Sequence, residues 1–322
     1  GTVCLVLDMG GADDGGFNAG AVDGLQQAER QLHVDIEIRE SETEAEIVAN
    51  LDELVSSGEC DLIIGLGFIV GFAMDSFASA YPEQRFALID SFLDSDNVAS
   101  VVFVASEAAF LAGYIAAGVS ETGTIGTYGG INFPAITEWM DGYALGAYYY
   151  NAEYGAAVDV LGWDVDTQTG LFSSDITGDP FGDPDAGYEL GELLLDDGAD
   201  TILPVAGFTG FGTLQAVQDR SAVGDAVRFV GVDFDAYEGF GDPERVILTS
   251  VLKKTDVAVF HQVEALVGGT WTGGDIVEEN LSSGGVDIAP FHKLNRVVPG
   301  HLKNDLMAIR AGIADGSIPT LP

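Results

Sequence analysis

The chain has 322 residues, 47% of them hydrophobic, and its 12 Lys and Arg residues stand against 52 Asp and Glu residues, giving a net charge of −40. This length suits two domains of ordinary size, and the hydrophobic content excludes a disordered chain. The acidity excludes nucleic acid as a partner, because phosphate binding requires clustered cations. It predicts a solvated acidic surface. No apolar run approaches the roughly 18 residues of a membrane-spanning helix.

The first third of the chain alternates between short apolar runs and helical patterns. The runs are typical of buried parallel strands, and they read VCLVLD, VDIEIRE, DLIIGLG, RFALID and ASVVFVA. Helices are predicted near 18–33, 42–57, 70–80 and 106–118. This order predicts a doubly wound α/β sheet, since connections between parallel strands are short and right-handed.

The two cysteines fall in this first half. Cys4 lies in the first predicted strand and Cys60 just before the third. A disulfide in an oxidising compartment and two buried free thiols both fit these positions. Because the chain opens directly on a core strand, we expect a mature chain whose targeting segment has been removed.

A second α/β series begins near residue 123. Its predicted strands are TIGTYGG, AAVDVLGWD, DTILPVA and VRFVGVDFD, and its predicted helices are 134–150, 184–197 and 210–220. The tail then supplies VILTSVLKK, a helix over 255–269, the run FHKLNRVVP and a last helix over 300–315. The segment 164–187 is an irregular stretch, predicted to be a solvent-exposed insertion or part of a ligand-binding rim.

The tail supplies one further strand and one further helix for each of the two α/β series. We therefore expect the chain to cross between two lobes more than once. The predicted N-terminal lobe comprises 1–122 and about 254–282, and the predicted C-terminal lobe comprises 123–253 and about 283–322. Each lobe is a doubly wound sheet, and a multi-strand hinge joins them around a ligand cleft. In such sheets ligands bind beyond the carboxyl ends of the strands.

The residues just past these strands are mainly carboxylates and aromatic rings, with one amide and one lysine. This set suits a neutral ligand with a flat face and hydroxyl groups, because rings stack on bases and carboxylates accept hydrogen bonds from a diol. Structural roles also remain open for some of these residues: Asp8 and Asp14 could cap the next helix, and Phe208 could pack between the lobes. The candidates at this stage include Asp8, Asp14, Phe17, Asn18, Phe208, Asp233, Asp235 and Lys253.

Signals for catalysis are weak. The four histidines (His33, His261, His292 and His301) fall away from the predicted strand ends, which argues against a histidine triad or a zinc site. The segment GLGFIVG has GxGxxxG spacing rather than the dinucleotide-binding GxGxxG. We therefore expect no catalytic residues, no metal and no cofactor. A hydrolase using paired carboxylates is the least favoured alternative.

The segment VCLVLDMGGADDGGFNAGAVDGLQQA resembles the opening signature of the basic membrane protein (Bmp) family, the purine-nucleoside-receptor type of ABC transporter substrate-binding lipoprotein. Further blocks resemble the family in the same order along nearly the whole chain: CDLIIGLGF with YPEQRFALID, NVASVVFVASEAAFLAGYIAA, GTIGTYGGINFPAITEWMDGYALGA and GVDFDAYEGFGDPERVILTSVLKKTDVAV. The resemblance implies a two-lobed periplasmic-binding-protein fold of type I. It also implies an extracytoplasmic location, with lipid anchoring through a removed N-terminal cysteine.

The resemblance also implies a nucleoside of the adenosine, guanosine or inosine class in the pocket. Carried over by motif, its ligands are Asp14, Phe17, Asn18, Asp233, Asp235 and Lys253, and Asp8 from the DxGG element. Phe181 in GDPFGDPDAG is the candidate for a second stacking ring. The expected protein is a monomeric receptor, not an enzyme, that delivers its nucleoside to an ABC permease. The alternatives are the same fold binding a sugar or another small polar solute, and a ligand-sensing receptor module.

Overall fold

The structure, a computed structural model, describes residues 1–9, 11–12, 16–242 and 245–322. Over these residues the strands are β1 (Thr2–Val6), β2 (Asp35–Arg39), β3 (Leu62–Leu66), β4 (Phe86–Ile89), β5 (Val98–Phe103), β6 (Thr124–Gly129), β7 (Asp159–Leu161), β8 (Trp163–Asp164), β9 (Thr169–Gly170), β10 (Thr201–Val205), β11 (Arg228–Asp233), β12 (Ile247–Lys253), β13 (Ile276–Glu279) and β14 (Val286–Ile288). The helices are α1 (Phe17–Leu32), α2 (Glu44–Ser57), α3 (Gly67–Ala80), α4 (Ala105–Val119), α5 (Pro134–Tyr154), α6 (Pro184–Asp196), α7 (Gly210–Ala222), α8 (Ala236–Phe240), α9 (Thr255–Gly268) and α10 (Gly300–Ala314).

The chain forms two units, each with its own sheet. The first unit comprises Gly1–Val104 and Lys254–Gly285, and the second comprises Ala105–Lys253 and Val286–Pro322. The chain therefore passes from one unit to the other three times. No described helix is both long enough and apolar enough to span a membrane.

The first unit contains a sheet in the order β13-β5-β4-β3-β1-β2, in which every pairing is parallel. The four central strands β1, β3, β4 and β5 are almost wholly buried, as their near-continuous apolar sequences predict, whereas the edge strands β2 and β13 are partly exposed. One face packs under α2 and α3, where Cys4 and Val6 meet Leu51 and Met74. Helices α1 and α9 pack together, and α9 also contacts β3 and β4.

The second unit has a sheet in the order β14-β12-β11-β10-β6-β7. The pairings are parallel except that β14 runs antiparallel to β12. A core beneath α6 and α7 includes Tyr128, Leu194, Ile202 and Val217. The predicted α/β class, with two mostly parallel sheets covered by helices, is confirmed.

Helix α4 lies in the second unit, whereas the sequence placed residues 105–122 with the first lobe. The reason is an aromatic seam between α4 and its neighbours. Phe110 and Tyr114 contact Tyr149 with ring centroids 5.6 Å and 6.1 Å apart, and the Tyr114 hydroxyl donates to Asp305 of α10 at 2.7 Å. These contacts lie far apart in sequence, so helical periodicity alone does not reveal them.

The tail also differs from its prediction. The run FHKLNRVVP was expected to supply a strand, and this was wrong: it contains a 3-10 helix (His292–Leu294). The additional strands are β13 and β14, which are short and rich in acidic residues. Such segments lack the apolar run from which a buried strand is predicted.

The cysteines form a disulfide that links Cys4 of β1 to Cys60, with the two Cα atoms 5.9 Å apart. Strand β1 pairs with β3, which begins two residues after Cys60, so the sheet itself brings the two side chains together. Of the two possibilities that the sequence left open, the structure contains the crosslink.

Candidate functional site

In the first unit the candidate residues gather where β1 and β3 end. Asp8 follows β1, Phe17 is the first residue of α1, and Gly67 is the first residue of α3. A Cβ atom built on Gly67 would lie 2.5 Å from Asp8 Oδ2 and 3.6 Å from Phe17 Cε1. The missing side chain at Gly67 therefore leaves space for the carboxylate of Asp8 beside the ring of Phe17.

The carboxylate of Asp8 is partly buried. Its Oδ1 accepts a hydrogen bond from the Met9 amide at 2.7 Å. Burial raises the pKa of Asp8, and the bond from Met9 offsets part of that rise by lowering it. A carboxylate kept partly desolvated at the carboxyl end of a sheet is typical of a functional site, because desolvation strengthens its hydrogen bonds to a ligand.

Asn18 positions Asp8. Its side chain is only 2% exposed, its Oδ1 accepts from the Asp8 amide at 3.1 Å, and its Nδ2 donates to the Asp8 carbonyl at 3.2 Å. This geometry fixes the backbone of Asp8, and the ligand contact that the sequence predicted for Asn18 stays a prediction. On the other side, Thr255 Oγ1 of α9 donates to the Phe17 carbonyl at 2.9 Å. Asp14, the remaining candidate here, lies outside the described residues.

In the second unit Asp233 and Lys253 lie at the ends of adjacent strands. Strands β11 and β12 pair in parallel, and Lys253 Nζ is 3.9 Å from Asp233 Oδ1. The same ammonium lies 5.2 Å from the centre of the Trp139 ring, within the range of a cation–π contact. Asp233 has a φ of 69°, in the left-handed region that Asp tolerates better than most residues. The pair therefore presents a carboxylate whose charge a neighbouring cation partly offsets.

Asp235, two residues later, has structural partners. It is the N-cap of α8, where its Oδ1 accepts from the Tyr237 amide at 3.1 Å, and its Oδ2 lies 2.7 Å from His292 Nε2. The His292 ring stacks on Tyr237 with centroids 4.0 Å apart. The histidines were expected to fall away from the strand ends, and for His292 this was wrong, because a contact 57 residues apart is not visible in sequence.

Among the residues that the structure describes, Asp235, Glu238 and His292 form a group that could hold a metal ion, since their donor atoms lie within 4.8 Å of one another. Both carboxylate oxygens of Asp235 are already used, one by the helix cap and the other by His292. The cluster therefore ties the 3-10 helix at 292–294 to α8.

Phe181 belongs to the loop before α6, and this loop packs against the carboxyl end of β6. Its carbonyl accepts from the Thr209 amide at 3.1 Å, and its ring lies against Gly130. The segment 164–187, predicted to be a solvent-exposed insertion or part of a ligand-binding rim, contains all of the β8–β9 hairpin except its first residue, Trp163, and Asp141 ties this hairpin to α5. That buried carboxylate accepts from Trp163 Nε1 at 2.8 Å and from Gln168 Nε2 at 2.7 Å.

Phe208 lies in a 3-10 helix (Gly207–Thr209) and is 55% exposed. It contacts Phe211 edge to face at 4.8 Å, Phe211 contacts Phe240 at 4.5 Å, and Phe240 contacts Phe234 at 5.5 Å. Phe208 thus begins a row of rings in the second unit.

Sequence reasoning missed several residues that hold the candidates in place: Gly130, Trp139, Thr255 and His292. Trp139 occurs inside an ordinary helical pattern, and Thr255 contacts Phe17 across 238 residues of sequence. No local signal identifies such residues, because each acts through a long-range contact.

Solved structures first define the class of protein. An ABC transporter solute-binding protein from Aeropyrum pernix K1 has 28% identity and a TM-score of 0.76, with 99% of this chain and 93% of that chain covered. A transcriptional activator of the comK gene from Bacillus halodurans has the same fold, with 22% identity, a TM-score of 0.78 and coverage of 99% and 100%. The fold is that of the periplasmic-binding-protein type, and it includes ABC solute-binding proteins.

Sequence comparison then gives the family. Residues 2–308 match the family described as Bmp, ABC transporter substrate-binding protein PnrA-like. An uncharacterized lipoprotein of Pyrococcus furiosus is 34% identical, covering 88% of this chain and 69% of the relative. Basic membrane protein A of Borreliella burgdorferi is 28% identical, with 88% and 77% covered. The chain belongs to the Bmp family of PnrA-like ABC transporter substrate-binding proteins, as its sequence motifs predicted.

Proposed function

We propose that this chain is the extracytoplasmic solute receptor of an ABC importer and that its solute is a nucleoside of the adenosine, guanosine or inosine class. In this proposal the protein acts as a monomer, delivers the nucleoside to a membrane permease and performs no chemistry on it. Membership of a substrate-binding family supports the transport role. The side chains at the strand ends support the choice of solute.

The observation that supports the choice of solute lies at the carboxyl ends of the strands in the second sheet. There the ring of Phe181 and the Asp233–Lys253 ion pair lie two strands apart. Phe181 lies against the residue that follows β6, and Asp233 ends β11, with β10 between these strands. Two strand spacings amount to about 10 Å between backbones. Side chains reaching over this gap fit a nucleoside, with the base on the ring and the ribose hydroxyls on Asp233 and Lys253.

The ring of Phe181 and the Asp233–Lys253 pair would bind different parts of a nucleoside. Stacking of a base on an aromatic side chain contributes about 1–3 kcal/mol. A hydrogen bond to a charged group contributes about 1.5–3 kcal/mol, and a carboxylate can accept one from each hydroxyl of a vicinal diol. Asp8 and Phe17 offer the same combination of acid and ring in the first unit.

The proposed location rests on two observations. Relatives are named lipoproteins, which supports anchoring by a lipid on a segment that precedes residue 1. The Cys4–Cys60 disulfide suits an oxidising compartment outside the cytoplasm. A receptor of this kind would collect its solute at the outer surface of the membrane.

Calorimetric titration with a panel of ligands tests the proposal. We expect adenosine, guanosine or inosine to bind, uridine to bind more weakly because its smaller base stacks over less area, and ribose not to bind measurably. No product should accumulate after prolonged incubation, as determined by chromatography. Tight binding of ribose without binding of any nucleoside would overturn the choice of solute.

A sugar or another small polar solute is the second candidate. It is favoured by the Asp233–Lys253 pair, since such a pair would bind any vicinal diol. The nucleoside is preferred because a free sugar makes less use of the partly exposed ring of Phe181.

A further inference from the structure

The loop that carries Phe181 is fastened on both sides of the ring. On one side the fully buried Ser173 places its Oγ 2.6 Å from the Pro180 carbonyl and 3.2 Å from the Gly130 carbonyl. On the other side the Thr209 amide donates to the Phe181 carbonyl at 3.1 Å. The backbone at Phe181 is therefore held, and the direction of its side chain depends on what the ring packs against.

The ring packs against a residue without a side chain. A Cβ atom built on Gly130 would lie 2.3 Å, 2.6 Å and 2.8 Å from Cε1, Cζ and Cδ1 of Phe181, closer than such atoms can approach. The Gly130 backbone cannot readily move aside, because its amide donates to Val205 at 2.9 Å and its carbonyl accepts from Ser174 at 3.0 Å. A methyl group at this position would therefore displace the ring.

The backbone conformation does not explain a glycine at this position. The φ angle of Gly130 lies outside the left-handed region, so alanine could adopt the same backbone. What glycine provides here is the space that the Phe181 ring occupies. Replacing it changes the position of the ring while leaving the chain path available.

We propose that Gly130 is a positioning residue: the space it leaves seats the ring of Phe181 and thereby sets the preference of this protein for solutes with a flat aromatic base. The inference rests on the proposed function and adds a determinant of specificity to it. Gly130 acts through the ring and needs no contact with the solute itself. Filling the space at Gly130 should therefore weaken binding most for the solutes that depend most on stacking against Phe181.

The test is calorimetric titration of the Gly130→Ala variant with adenosine and with its free base, adenine. We expect both affinities to fall by about 5- to 150-fold, the range that corresponds to loss of one stacking ring. The matched control is Gly178→Ala in the same loop, where an added Cβ meets nothing within 4 Å and φ is ordinary. This control should bind adenosine as the wild type does.

A double-mutant cycle shows whether Gly130 acts through the ring. In a Phe181→Ala background the ring is gone, so the Gly130→Ala change should have no further effect on the adenosine affinity. The Phe181→Ala/Gly130→Ala double variant has room for the added methyl group. Its comparison with Phe181→Ala therefore remains valid even if Gly130→Ala alone folds poorly. Additive losses in the cycle would overturn the inference, because Gly130 would then act independently of Phe181.

The outcomes separate this inference from the function on which it rests. If the wild type and Gly130→Ala bind adenosine equally well, the space at Gly130 has no role in binding and the proposed function still stands. If the wild type binds none of the nucleosides, both proposals fall together.

Discussion

Removing the Cys4–Cys60 disulfide is expected to lower the free energy of unfolding by about 4 kcal/mol, the chain-entropy estimate for a loop of this size. The bond joins residues separated by 56 positions. Without it the unfolded chain gains conformations that the crosslink forbids. Because domains are stable by only about 5–15 kcal/mol, this change is a large part of the total.

Urea unfolding of the oxidised protein, the reduced protein and the Cys4→Ala/Cys60→Ala variant measures the effect. The reduced protein and the variant should share a lowered midpoint, and their steeper urea dependence should report a more expanded unfolded state. The denatured, unreduced protein should contain no thiol that reacts with maleimide. Two reactive thiols, or coincident unfolding curves with and without reductant, would show that no crosslink stabilises the protein.

Replacing Lys253 by Met is expected to weaken nucleoside binding by about 1.5–3 kcal/mol, or roughly 10- to 150-fold, the value of a hydrogen bond to a charged group. Lys253 Nζ lies 3.9 Å from Asp233 Oδ1 and over the Trp139 ring. In the proposed complex it binds the ribose and offsets the charge of Asp233. Met retains much of the aliphatic length but neither of these properties.

Calorimetry of adenosine and of its free base separates the roles of Lys253. The loss should be large for the riboside and small for the base, because only the riboside carries the hydroxyls. Lys303→Met, which removes the same charge from α10, serves as the control and should leave both affinities unchanged. Equal losses for riboside and base would indicate that Lys253 maintains the structure instead of binding ribose.

The strand ends were predictable because apolar runs of strand length are unambiguous in this chain. VCLVLD and VRFVGVDFD mark where β1 and β11 end, and so place Asp8 and Asp233 at the carboxyl edges of their sheets. The family motifs pointed to Phe17, Phe181 and Lys253 as well. These candidates could be proposed from local sequence because each immediately follows or begins a regular element or lies in a recognisable motif.

The supporting contacts were not predictable, because they join residues distant in sequence. Asp235 reads as a ligand acid, yet His292 and the cap of α8 use its oxygens. Asn18 reads as a polar contact, yet it is buried against the backbone of Asp8. The assignment of α4 to the second unit likewise depends on its packing against α5 and α10.

A crystal structure of the protein with inosine would test the central claim most directly. We expect the base to lie against the ring of Phe181 and the ribose hydroxyls to donate to Asp233 within normal hydrogen-bond distance. Inosine bound elsewhere, with this ring and this carboxylate contacting only protein, would contradict the account.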